Sequence, residues 1–138
     1  MHHGGRRRAI VATALLLQAC AQPPPSAGPR LFAADFAGAA KICSVPKVTP
    51  VMGQETQVPI KMVNDGGWCA ITVNDDGKPF GAGLMVTAPA HGKAFIHTVG
   101  NDTRIDYTPD AHFAGTDTFV TRLIPGDATL RTTVTISQ

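Results

Sequence analysis

Polar and apolar residues alternate along most of the second half of the chain. Over residues 57–63, Val58, Ile60 and Met62 fall on one side while Gln57 and Lys61 fall on the other. Cys69, Ile71 and Val73 share a face over residues 68–73, and Ile105 and Tyr107 do so over residues 103–108. Residues 129–137 keep the same period, with Leu130, Val134 and Ile136 nearly in phase. A period of two marks strands with one buried and one wet face.

Between these runs stand turn-forming clusters: Asn64-Asp65-Gly66-Gly67, Asn74-Asp75-Asp76-Gly77, Ala90-His91-Gly92, Gly100-Asn101-Asp102 and Pro125-Gly126-Asp127. Glycine permits the left-handed backbone of tight turns, and Asn and Asp side chains bond back to nearby amides. Seven or eight short strands punctuated in this way predict an all-β domain, a β-sandwich. Trp68, beside Cys69, is expected to plug the core. The folded domain is expected to occupy residues 41–138.

The first thirty residues have a different composition. Arg6, Arg7 and Arg8 form a basic start, followed by an uncharged, largely apolar stretch over residues 9–17. A core this short falls well below the ~20 residues that span a bilayer, so it reads as an export signal. Leu17-Gln18-Ala19-Cys20 resembles the lipobox of bacterial lipoproteins, in which the cysteine is lipidated and becomes the new N-terminus. Leu17, Ala19 and Cys20 fit that pattern and Gln18 departs from it. An ordinary cleaved signal with an incidental cysteine is the alternative. On the first reading, residues 1–19 are the signal and Cys20 is the lipidation site. Ala21, where an Asp would favour the inner membrane, points to outer-membrane sorting, facing the periplasm or the surface. Residues 20–40 form a Pro/Ala-rich tether. The prolines of residues 22–30 favour extended polyproline geometry, and the alanines of residues 31–40 allow at most a marginal helix around Gly38.

Removing Arg6, Arg7 and Arg8 leaves nine basic side chains against ten acidic ones, near −1. The chain then offers no basic patch to nucleic acid, and Trp68 and Tyr107 are too far apart to form a stacking platform. With Cys20 set aside, Cys43 and Cys69 remain in a chain bound for an oxidising space. The simplest inference is a disulfide that joins two early strands at the sandwich edge. By chain-entropy reasoning it restrains the unfolded state by roughly 3–4 kcal/mol. A Cys/His metal site would need further ligands at close spacing.

Residues 107–119, YTPDAHFAGTDTF, carry the densest set of polar and special residues. Asp110, His112 and Asp117 invite a metal reading, but a structural one accounts for every residue. Tyr107 closes an inward strand position, and Pro109 removes an amide so that pairing stops. Phe113 then folds over the core and Gly115 takes a backbone conformation that a β-carbon would oppose. Asp117 accepts from turn amides, and Phe119 re-enters the core. Pro89, His91, Gly92, Tyr107, Pro109, Phe113, Gly115, Asp117 and Phe119, in that order and spacing, resemble the cadherin-like and Ig-like repeat modules of bacterial surface and secreted proteins. The resemblance implies that the all-β domain is an Ig-like (cadherin-like) Greek-key β-sandwich of seven or eight short strands. Calcium in such relatives sits at junctions between repeats, whereas this chain has one copy, and calcium demands six to eight oxygen ligands.

Other chemistry is thinner. His91, His97 and His112, with Met52, Met62 and Met85, could be drawn together only as a copper site without close pairing. Ser26, Ser44 and Ser137 lie in no nucleophile elbow, and Glu55 is the only glutamate. The sequence therefore predicts no enzyme, no cofactor and no metal. It predicts a lipid-anchored envelope protein presenting one Ig-like domain for binding, adhesion or structural support, with an envelope protein or glycan as ligand. Metal handling, of copper or calcium, is the alternative, and inhibition of a hydrolase the weaker one.

Overall fold

The computed structural model describes residue 28 and residues 30–138. Eight strands follow a 3-10 turn at Ala33–Phe36: β1 Cys43–Ser44, β2 Glu55–Val63, β3 Cys69–Val73, β4 Ala82–Thr87, β5 Gly92–Val99, β6 Asp102–Pro109, β7 Gly115–Ile124 and β8 Ala128–Ser137. They form a five-stranded sheet in the order β1-β2-β8-β7-β4 and a three-stranded sheet in the order β3-β6-β5. The expected all-β Ig-like sandwich is what the chain builds. All five turn clusters read from the sequence lie between strands or at strand starts.

Alternation places the core between the two sheets. Val58, Ile60 and Met62 of β2 are buried, as are Cys69, Ile71 and Val73 of β3 and Ile105 and Tyr107 of β6. Phe119 and Leu123 of β7 and Leu130, Val134 and Ile136 of β8 complete it. The gap in the apolar phase of β8 is filled by Thr132, which faces inward and is fully buried, as is Thr121 of β7.

The topology joins distant parts of the chain. β2 runs parallel to β8, in register from Glu55↔Thr129 to Val63↔Ser137. The remaining pairings are antiparallel, including β7 with β8 and β6 with both of its neighbours. Parallel neighbours need a crossover, and here the whole intervening domain supplies it. Cys43 and Cys69 are bonded, with Cα atoms 5.5 Å apart. They tie the edge strand of one sheet to the edge strand of the other, as the strand assignment of the cysteines implied.

Trp68 corrects an expectation. It is half-buried rather than central, and it sits at the start of β3 on the sandwich's edge. Its indole Nε1 donates to the Ala37 carbonyl at 2.9 Å, and its backbone bonds to Gly38 and Ala40. The alternation already commits inward positions to smaller residues at Cys69, Ile71 and Val73. The indole is left on the outside, where it holds the segment ahead of β1.

Candidate functional site

Two arrangements concentrate polar side chains, and they occupy different parts of the sandwich. The first is the turn region of residues 107–119. Tyr107 ends the inward row of β6 and stacks on Phe119 of β7, with ring centroids 5.6 Å apart. Its hydroxyl donates to Asp117 Oδ2 at 2.8 Å. The same carboxylate accepts from the amides of Ala90 at 3.0 Å, His91 at 2.9 Å and Thr118 at 2.9 Å. Asp117 therefore fastens the turn before β5 to the start of β7, across 26 or 27 residues of chain. Both turn amides among its donors, those of Ala90 and His91, belong to the other turn, the one before β5, while Thr118 lies in β7 itself.

Asp117 is only 3% exposed. Burial pushes its carboxyl up, but bonds from the His91 amide, the Tyr107 hydroxyl and the Ala90 and Thr118 amides outweigh burial and hold it below the usual range. The Tyr107 phenol moves the other way. Burial raises it most, followed by its bond to Asp117 and the charges of Asp117 and Asp110.

The remaining residues of the turn support this hub. Pro109 is the last residue of β6 and pairs with Gly92, the first of β5. A β-carbon on Gly92 would lie 2.7 Å from the Tyr107 ring, so glycine is required for the tyrosine to seat. Phe113 packs against the core and stacks on the His91 ring at 4.2 Å. Asn64 donates to the carbonyls of Asp110 and Phe113 at 2.9 and 3.0 Å. Gly115 has φ +138°, and a β-carbon there would meet Phe113 Cζ at 3.3 Å. The region is a fastening between sheets.

The residues weighed for metals are dispersed. His91 is engaged with Phe113, His97 lies on β5, and His112 stands in the turn with φ +63°. Met62 is in the core, while Met52 is exposed and lies against Gly126. Among the described residues, no three His, Cys, Asp or Glu side chains converge to hold a metal ion. Glu55 is paired with Arg131 at 2.8 Å on the exposed face of the five-stranded sheet. Cys20 and the signal of residues 1–19 lie outside the described residues.

The second arrangement was not singled out from the sequence. On the outer face of the three-stranded sheet, the positions alternating with Ile105 and Tyr107 are Arg104 and Asp106. Arg104 Nε donates to Asp106 Oδ1 at 2.7 Å and Nη2 to Oδ2 at 2.9 Å. His97, opposite Arg104 on β5, places Nε2 2.9 Å from Asp106 Oδ2. The Trp68 ring covers the guanidinium, with Cζ 4.3 Å from its centroid, and Nη1 donates to the Asp35 carbonyl. These covers bury Arg104 and Asp106 even though they face away from the core. Phe95 stands next in the row. It is 62% exposed, and its ring centroid is 4.7 Å from that of His97. Strict alternation across residues 103–108 and 92–99 held the signal, since outward Arg104, Asp106, Phe95 and His97 lie on adjacent strands in register.

No curated protein matches the chain. The sequence profile described as bacterial Ig domain matches residues 46–137, which takes in β2 to β8 and the side chains of both arrangements described above. Two sheets closed by a disulfide, a fastened turn and that match agree, and the chain belongs to the bacterial Ig domain family.

Proposed function

We propose that this chain is an exported lipoprotein that displays its single Ig-like domain in the cell envelope as a non-catalytic binding or structural accessory module. Cys20 carries the lipid and the proline-rich residues 22–30 set the domain off the membrane. Export is supported by the disulfide, which needs an oxidising compartment, and by the family, whose domains are typically extracellular or surface-exposed.

The observation that carries the binding reading is the outer face of β3, β6 and β5. Phe95 presents an exposed aromatic ring beside Arg104, Asp106 and Trp68, which are bonded or stacked to one another on the same face. An aromatic side chain has only two torsions to fix, and beside polar groups that are already bonded it loses little conformational entropy on contact, which is the character of binding hot spots. Its ligand is an envelope protein or glycan meeting this face.

Two measurements test the proposal. Cells fed radiolabelled palmitate should label the wild-type protein and not Cys20→Ser; absence of label with Cys20 intact removes the anchor. Co-sedimentation of the Cys20→Ser protein, which lacks the anchor, with purified cell-wall glycan and with washed envelope membranes should fall about tenfold when Phe95→Ala is added, at unchanged melting temperature. Equal retention of both proteins removes the assigned face.

A further inference from the structure

A strand at the end of a sheet exposes unpaired amides and carbonyls, and folded proteins usually blunt such edges. The two sheets end in four strands: β1, β4, β3 and β5. Three of them are blunted. β1 has only two residues. β4 carries a register shift between Met85 and Thr87 in its pairing with β7. β3 is flanked by residues 45–50, whose Pro46 and Pro50 border a groove of about 430 Å³ along Ala70 and Thr72.

β5 has no such device. It is eight residues long and pairs with β6 in unbroken register from Gly92↔Pro109 to Val99↔Asp102. It contains no proline, and Lys93 is its one residue of fixed charge. Its other edge has no strand partner among the described residues.

We infer that two copies of this chain associate through the free edges of β5, antiparallel about a two-fold axis, merging two three-stranded sheets into one. The strand's own sequence selects a second copy as the occupant. An axis perpendicular to the sheet puts outer residues opposite outer residues, so it must pass through a residue position rather than between two. Centred on Phe95, the pairing sets Lys93 against His97 of the second copy. Centred on Ile96, it sets each Phe95 opposite His97 of the second copy, Ala94 opposite Thr98 and Lys93 opposite Val99.

The second register opposes no like charges and continues a contact the single chain already makes, the Phe95–His97 ring pair. The result is a row of four rings across the joint, on the face assigned above to ligand binding. With nine basic and ten acidic side chains after the signal, little net charge opposes the approach of two copies. The pairing rests on the strand edge and not on the ligand reading; a monomer would leave that reading standing.

The test is sedimentation equilibrium of the full chain in density-matched detergent. A dimer with a dissociation constant on the order of 10 µM is expected. Phe95→Lys, at an exposed position, should weaken it at least tenfold. Leu84→Lys, also exposed but on the other sheet, should leave it intact. A second arm co-expresses differently tagged Phe95→Cys and His97→Cys copies, which should form an intermolecular disulfide on oxidation. A monomer up to about 100 µM, species larger than a dimer, an unchanged dimer in Phe95→Lys, or no cross-link between the cysteine copies would each overturn the inference.

Discussion

Replacing Asp117 by asparagine changes almost no volume, so the consequence comes from hydrogen bonding alone. The native carboxylate uses Oδ1 for the Ala90 and Thr118 amides and Oδ2 for the His91 amide and the Tyr107 hydroxyl. An amide side chain can accept on one side only. Whichever way the substituted amide turned, its NH2 group would face two donors. Each lost bond to a charged acceptor is worth roughly 1.5–3 kcal/mol when buried. Tyr107 keeps a fallback at 3.3 Å, the His91 carbonyl, which limits the total to about 3 kcal/mol. For a domain of this size that corresponds to a fall in melting temperature of roughly 10–25 °C.

Urea unfolding followed by the fluorescence of Trp68, the one tryptophan, measures it directly. Tyr107→Phe, which removes a single donor to that carboxylate, should cost about 1.5 kcal/mol, roughly half the loss in Asp117→Asn. The pH profile supplies an independent check. Because the folded carboxyl is held below its usual value near 4, its contribution is complete above that value and is lost as pH falls through the folded pKa. Asp117→Asn should therefore be less acid-sensitive than wild type. Tyr107, raised by burial, contributes fully below about pH 10 and loses its contribution at higher pH, a loss absent from Tyr107→Phe. The loss in Asp117→Asn should be the same with calcium as with a chelator. An Asp117→Asn protein within 1 kcal/mol of wild type, or a defect that appears only with calcium, would refute the fastening argument.

Two further outcomes follow from the backbone and the cysteines. Gly115→Val forces a branched side chain onto φ +138° and against Phe113, and should destabilise by about 1–3 kcal/mol; an unchanged midpoint would mean the turn relaxes freely. Non-reducing mass spectrometry should recover a peptide pair linking Cys43 to Cys69. The double Cys→Ala variant should lose about 3 kcal/mol, and free thiols in exported protein would contradict the compartment.

Most of the fold was legible in the chain because strand burial has a local cause. A period of two needs only neighbouring residues to declare which face is wet, and turn residues act on their own backbone. Val58, Ile60, Ile71, Ile105 and Leu130 could therefore be placed before any partner strand was known. The same locality explains the roles of Pro109 and Gly115. It also explains why residues 107–119, so rich in possible ligands, could be read as a turn.

What local pattern could not supply were relations across the sheets. That Asp117 takes amides from Ala90 and His91 depends on two turns meeting, and that meeting is made by the β5–β6 and β7–β8 pairings. That Thr132 is buried while Trp68 is not depends on which positions the opposing sheet covers. The row of Phe95, His97, Arg104 and Asp106 exists only because β5 and β6 pair in one register, and β5 is left with a free edge only because β6 is its sole strand neighbour among the described residues. The strands, their inner faces and the disulfide's partners follow from the chain alone, since alternation and cysteine count are properties of residue order. The fastening, the exposed face and the open edge follow from strand pairing, because each is a contact between residues that one-dimensional order keeps apart.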